Sequence, residues 1–322
     1  MKIHRFFRIS RTIFLLFLAI QMSCPSFAED PAPIKLYITP NEQFEFAEQL
    51  FSKGEFIPAT AEYRRFIWFF PDDERVVTAR NRMGESYFKA GDFDRAKTVY
   101  LETISLYEKD ERVTEAFFGL SRCFLMQADV KNALAALNGV MKKSDDPDII
   151  DRAWYEMGWI SLESQWQART PSWQEAADLF NRIRPENKDA YGVDQLLVKL
   201  DDTGNISRKS PAMAGFLSIL PGGGYLYCNR YRDALMAFLL NGGLILAAVS
   251  SFENDNPALG AVIGFVETGF YSGNIYGGIS SAHKYNRHQT RRFIDTLRQG
   301  TAIGLSGGDG QKQLAVFFHM NF

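Results

Sequence analysis

The chain has 322 residues, with 36 Lys and Arg against 38 Asp and Glu, for a formal charge of −2. That balance excludes the basic surface that a nucleic-acid partner demands. Few cysteines and only four histidines speak against a disulfide framework or a metal centre.

The first predicted element is a leader. Lys2, Arg5, Arg8 and Arg11 precede an eight-residue apolar core at 13–20, and Ser26-Phe27-Ala28 places small residues where a signal peptidase needs them. Residues 1–28 are therefore expected to be a signal peptide cut after Ala28, and its loss takes the charge from −2 to −6. Two alternatives stay open. Cys24 offers a lipidation site, although Gln21 stands where a lipobox carries a leucine-like residue. The leader is otherwise an uncleaved anchor.

A 37-residue repeat follows, expected over residues 40–200. Gly54, Gly91 and Ala128 mark its turns. A small residue recurs in the first helix of each unit, at Ala47, Gly84, Ser121 and Gly158, preceded by Phe46, Met83, Leu120 and Met157. The second helix carries Ala59, Ala96, Ala133 and, after a six-residue insertion, Ala176. Four residues later come Tyr63, Tyr100, Leu137 and Phe180. A fixed period of this length predicts a solenoid of paired antiparallel helices. Residues 188–200 predict one further helix that caps the last repeat.

The repeat resembles the tetratricopeptide (TPR) family. Trp154-x-x-Met157-Gly158 matches its W-x-x-L-G element, Gly91-Asp92-Phe93-Asp94-Arg95-Ala96 its inter-helix turn, and Pro71 its closing proline. The longer period resembles envelope TPR proteins of the BamD and YbgF groups. The resemblance covers residues 40–184 and implies an all-α solenoid that holds a protein or peptide. In such a stack the first helices line the concave face. The register then points Phe44, Glu48 and Phe51, Asn81, Glu85 and Phe88, Phe118, Arg122 and Leu125, and Tyr155, Trp159 and Leu162 into it. From these the partner-binding groove is expected at Phe44, Glu48, Phe118, Arg122, Tyr155 and Trp159, an aromatic surface suited to apolar anchors. Phe51, Phe88, Leu125 and Leu162 are equally readable as core between units.

Residues 201–210 read as a polar linker. Residues 211–299 then predict a helical membrane module, with apolar blocks at 212–227, 234–252 and 258–282. The second block is long enough to cross a bilayer, and the third crosses with a polar inner face. The first is broken by Pro221-Gly222-Gly223-Gly224 and reads as bent or re-entrant. Three crossings, with the repeats exported, place Arg230, Arg232 and the basic cluster at 283–292 in the cytoplasm, as the positive-inside rule prefers. Two crossings leave both clusters outside. Glu267 and Asn241 are the polar groups to explain inside the apolar blocks. Gly260, Gly264, Gly269, Gly273 and Gly277 are expected to let another helix, or a second copy, approach closely. The segment 220–233 resembles the P-G-x-G-x-x-Y element of small bacterial membrane domains, for which no chemistry is implied.

Residues 300–322 predict a β-hairpin, 301–306 and 311–322 around a glycine turn, with Leu314, Val316, Phe318, Met320 and Phe322 alternating. No nucleophile elbow, metal spacing or phosphate loop occurs in the chain, so no enzyme, cofactor or metal is expected. The sequence thus predicts an all-α protein: a TPR-type solenoid, a two- or three-helix membrane module and a short C-terminal hairpin. Its expected role is a scaffold for an envelope protein, in the inner membrane with the repeats in the periplasm. The alternative is an accessory factor for membrane-protein insertion, assembly or transport.

Overall fold

Three left-handed residues stand at the repeat turns: Gly54 at φ +80°, Gly91 at +81° and Ala128 at +58°. Each ends a helix in the same way. Glu55, Asp92 and Asp129, one residue later, each donate an N–H back over five residues, to the carbonyls of Leu50, Tyr87 and Phe124, each at 2.9 Å. This is the closing bond of a Schellman cap. Glycine takes that conformation without a Cβ clash, whereas alanine is strained there by about 1–2 kcal/mol. Replacing Ala128 by Gly relieves the strain but loosens the unfolded chain. We expect Ala128→Gly to stabilise the protein by about 0.5–1 kcal/mol. A urea midpoint that stays or falls contradicts this.

The computed structural model describes residues 37–165, 171–202 and 206–306, with side chains to 299. The expected leader at 1–28 and the segment 311–322 lie outside these. The chain divides into two units, Met1–Glu42 and Gln43–Phe322. In the first, Thr39 and Glu42 exchange backbone-to-side-chain bonds of 2.9 and 3.2 Å, a capping box at a helix start.

The described residues are helical without a strand. Four pairs build the solenoid: α1 (Pro40–Ser52) with α2 (Phe56–Phe69), α3 (Val76–Lys89) with α4 (Phe93–Leu106), α5 (Val113–Met126) with α6 (Val130–Lys143), and α7 (Pro147–Ser164) with α8 (Gln174–Asn181). Asp92 and Asp129, 37 residues apart, cap α4 and α6 by accepting the N–H of Arg95 and Asn132. The links between pairs repeat as well. Asp73 clasps Arg75 at 2.7 Å, and Asp110 clasps Arg112 at 2.6 Å. The Arg75 guanidinium holds the Asp73 carboxyl well below its ordinary value, at about 2.

Ala59, Ala96, Ala133 and Ala176 are all fully buried, as are Tyr63, Tyr100, Leu137 and Phe180 within 1%. The small first-helix residues leave room for these rings. A Cβ on Gly84 would lie 2.6 Å from the Tyr100 ring, and one on Gly158 would lie 2.5 Å from Phe180. Met83, Leu120 and Met157 are buried, but their equivalent Phe46 is 48% exposed. Among the described residues no repeat precedes the first pair to cover it.

The expected single capping helix is two helices, α9 (Pro185–Tyr191) and α10 (Val193–Asp201). Gly192, at φ +62°, breaks the helix between them. The linker is also docked rather than free. Lys209 donates its N–H to Asn286 at 2.8 Å, and Asn286 donates back to the Lys209 carbonyl at 2.9 Å.

The module has two long helices. α11 (Pro211–Leu217) and α12 (Gly223–Tyr227) are short; α13 (Tyr231–Glu253) and α14 (Pro257–Ser306) form an antiparallel hairpin. At 1.5 Å per residue, α11 and α12 reach about 10 and 8 Å, against about 30 Å of hydrocarbon. Of the three apolar blocks, the first is therefore two short helices rather than one long one. The α13 stretch has a mean hydropathy of 1.9 and is only 11% buried, so it is long and apolar enough to cross a membrane and is not a core helix. Residues 301–306, expected as a strand, continue α14.

Candidate binding groove

Two charge clusters lie among the expected groove residues. In the first, Tyr63 donates to Glu48 at 2.7 Å, and Arg82 bridges Glu48 at 3.1 Å and Glu85 at 2.9 Å. Burial, then the Glu48 carboxylate, pushes the Tyr63 phenol up. In the second, Arg152 pairs with Glu115 at 2.6 Å and with Glu156 at 3.2 Å, its guanidinium 3.8 Å above the Phe118 ring. Glu156 is 2% exposed. Burial raises its pKa, and Arg152 opposes the shift.

Arg122 stands between the clusters. It makes no hydrogen bond or ion pair among the described residues, its Nε is enclosed, and its guanidinium lies 5.7 Å from the Phe88 ring centroid. Phe44, Glu48, Asn81, Glu85, Phe88 and Arg122, in the first half of the expected groove, are half-buried.

The second half is closed. Phe118, Tyr155 and Trp159, expected to face a partner, are 0%, 6% and 8% exposed. Phe118 packs between α6 and α7 with Leu137 and Ala153. Tyr155 stacks on Tyr191 at 4.6 Å. Trp159 is covered from the far end of the chain. The last turns of α14 bring Ile294 and Leu297 into one cluster with Tyr155, Trp159 and Leu162, and Leu196 and Leu200 of α10 join it. Phe293 meets Trp173 edge-on at 5.3 Å, Arg298 lies over Trp159 at 5.8 Å, and Arg298 pairs with Glu163. Leu125 and Leu162 are core as well, at 3% and 0% exposed. Arg82, Arg152, Ile294 and Leu297 escaped the sequence reading. Helical spacing alone could have flagged Ile294 and Leu297.

Inside the hairpin, Asn241 and Glu267 are buried, at 2% and 7% exposed. Asn241 donates to the Ala237 carbonyl. Its Oδ1 and both Glu267 oxygens have no hydrogen-bond partner among the described residues. The glycines divide in two. Gly260 lies against Phe252 and Gly277 against Tyr225, while Gly264, Gly269 and Gly273 face open space. The close helix crossing is made by two other glycines, Gly224 and Gly278, with the Cα of Gly278 3.0 Å from a Cβ built on Gly224. Asn274 locks the Pro-Gly turn beside it. It accepts the Gly222 N–H at 3.0 Å and donates to the Ser218 carbonyl at 2.7 Å. Gly222 is left-handed at φ +84°, so the Pro221–Gly224 turn is held as a structural clasp.

No group of His, Cys, Asp and Glu among the described residues is placed to hold a metal.

Residues 82–110 match the tetratricopeptide repeat family model. A tetratricopeptide repeat protein from Parabacteroides merdae ATCC 43184 is similar, at 14% identity and TM-score 0.40, over 77% of this chain and 98% of that one. So is a Podosopora anserina kinesin light chain with nearly identical TPR-like repeats, at 12% identity and TM-score 0.36, over 68% of this chain and 100% of that one. No curated protein matches the chain. The repeat match and the four stacked helix pairs together make the first half of the molecule a TPR-type solenoid.

Proposed function

We propose that the protein is a membrane-tethered scaffold whose solenoid holds a protein or peptide in the bacterial cell envelope. The observation that supports this is the half-buried row of expected groove residues from Phe44 to Arg122, which ends on an arginine whose Nε is enclosed without a hydrogen-bond partner. Glu156, Glu85 and Glu115 favour the Arg122 charge from a distance, and a partner's carboxylate would add the direct ion pair that the side chain does not make here. Photo-crosslinkers at Asn81, Glu85 and Arg122 should give one discrete adduct, lost when Arg122→Glu is introduced alongside the other two sites. Adducts only from the outer-face Lys131, or none that Arg122→Glu alters, would sink the reading.

The tether is α13 with the first half of α14, and the location is the inner membrane with the solenoid in the periplasm. In this reading the leader exports the repeats and the acidic tip, Glu253 to Asn256, faces the cytoplasm. Cys123 and Cys228 are both buried, so single cysteines added at Lys53 and Asn254 report cleanly. An impermeant maleimide should label Lys53→Cys and spare Asn254→Cys once the outer membrane is opened. The reverse pattern places the solenoid in the cytoplasm. Self-association, where it occurs, would use the open face at Gly264, Gly269 and Gly273.

The second reading, an accessory of membrane-protein insertion or transport, is favoured by the buried and unpartnered carboxylate of Glu267. It requires Glu267→Gln to abolish function, whereas the scaffold reading requires the variant to behave as the parent.

A further inference from the structure

The end of the hairpin nearest the solenoid gathers three separate segments of chain into one layer. Ser207 and Tyr285 share a 3.2 Å hydrogen bond, and Ser210 donates its N–H to the Tyr227 hydroxyl at 3.1 Å. Arg230, at the head of α13, donates to Ser281 on α14 at 3.1 Å. The linker, the α12–α13 turn and the middle of α14 therefore meet at a single level.

That level is basic. Arg208, Arg232, Lys284 and Arg287 are exposed around it. Asp233 neutralises only Arg230, at 2.6 Å. Lys209 is different again. Its ammonium sits 4.7 Å from the Tyr227 ring and 5.7 Å from the Tyr285 ring, half-buried and in no ion pair among the described residues. The linker backbone is fixed there by both bonds to Asn286, which anchors the base of this side chain beside the two rings. Just beyond the layer the surface turns apolar, with Tyr231, Leu235 and Phe216 at 58–65% exposure. Amphipathic rings beside cations, next to exposed aliphatic side chains, match the headgroup zone of a leaflet. The far end of the hairpin carries Glu253 and Asp255 instead.

We propose that this collar binds the phosphate headgroups of anionic phospholipids, with Lys209 between its two tyrosines as the fixed contact. The inference rests on the membrane reading of the hairpin given above. It also supplies what that reading lacks. An exported solenoid puts these basic groups on the side that the positive-inside rule disfavours, and anionic headgroups offer the counter-charge. Each basic residue at such a surface contributes about 1 kcal/mol, about five-fold in lipid partition.

The test uses the full chain in nanodiscs of equimolar phosphatidylglycerol and phosphatidylcholine, with the lipid retained on purification counted by mass spectrometry. The expected result is enrichment of phosphatidylglycerol by five-fold or more. Lys209→Gln should cut it about five-fold, Lys209→Arg should restore it, and Arg208→Gln with Arg287→Gln should lower it further. Lys131→Gln on the solenoid should leave it alone. Equal retention of the two lipids by a protein that enters the discs overturns the lipid proposal and leaves the tether standing. Enrichment abolished by millimolar inorganic phosphate at constant ionic strength overturns the lipid source, because the site is then one for free phosphate. A chain that stays outside the discs overturns both readings.

Discussion

Replacing both Ile294 and Leu297 by Asp should release the last turns of α14 from the solenoid while the solenoid itself stays folded. The two side chains are 4% and 1% exposed and lie against Tyr155, Trp159 and Leu162. Truncating one such residue to Ala costs about 2–5 kcal/mol, and Asp adds a buried charge with no partner. Even at the low end the two positions together remove about 4 kcal/mol of docking. That is about a thousand-fold in the population of the released segment. The cost should appear as release because Ile294 and Leu297 are the buried part of the contact, the flanking Phe293–Trp173 and Arg298–Glu163 pairs lying at its margin, whereas each repeat keeps its own rings and alanines. Trypsin should then cut at Arg298 within minutes, Trp159 emission should shift to the red, and far-UV helicity should change little. Unchanged cleavage and emission would mean that the groove is not closed by α14. Cooperative loss of all helicity would mean that the last repeat depends on α14 to fold, which would make it part of the solenoid core.

The repeat could be read directly because its signal is local and periodic. Ala59, Ala96, Ala133 and Ala176 are small for one reason, the closeness of two helices, and that reason recurs every 37 residues until the insertion. The buried rings four residues later follow from the same geometry. The expected groove was less legible. Register puts Glu48, Asn81, Glu85 and Arg122 on one expected face, where all four are half-buried. It cannot say that a segment some 135 residues beyond Trp159 folds back over that tryptophan, since nothing in a period encodes a covering element from elsewhere. Gly192 lay within an otherwise unbroken helical pattern, so the capping helix was drawn as one piece. In the module, spacing by four singles out Gly269 and Gly273, where an added Cβ would meet nothing among the described residues. The crossing is instead at Gly278, adjacent to the glycine that the spacing chose. A helix pattern shows which residues share a face, and only the partner's position shows which face is used.

That distinction makes Gly278 the most sensitive position of the module. A Cβ there would lie 2.2 Å from the Ser218 Oγ and 3.2 Å from both the Ala214 carbonyl oxygen and the Gly224 Cα. Two of those neighbours are backbone and cannot rotate aside. Gly278→Val must therefore push α11 and α12 off α14. Overpacking alone costs about 1–3 kcal/mol. Separation also breaks the Asn274 clasp, leaving the Gly222 N–H and the Ser218 carbonyl unpaired in an apolar site, each at about 1–3 kcal/mol. The expected total is about 3–9 kcal/mol, enough to undock the short helices and expose the 218–224 amides to rapid hydrogen exchange. Asn274→Leu should reproduce the exchange at lower cost, because it removes the clasp without forcing the helices apart. Gly273→Val, only five residues away, meets open space and should leave exchange in this segment unchanged. It should alter the molecule only where a second copy lies against that face, which cross-linking in detergent would reveal. Protection at 218–224 that survives Gly278→Val would mean that α11 and α12 are held by the membrane itself and not by the glycine crossing.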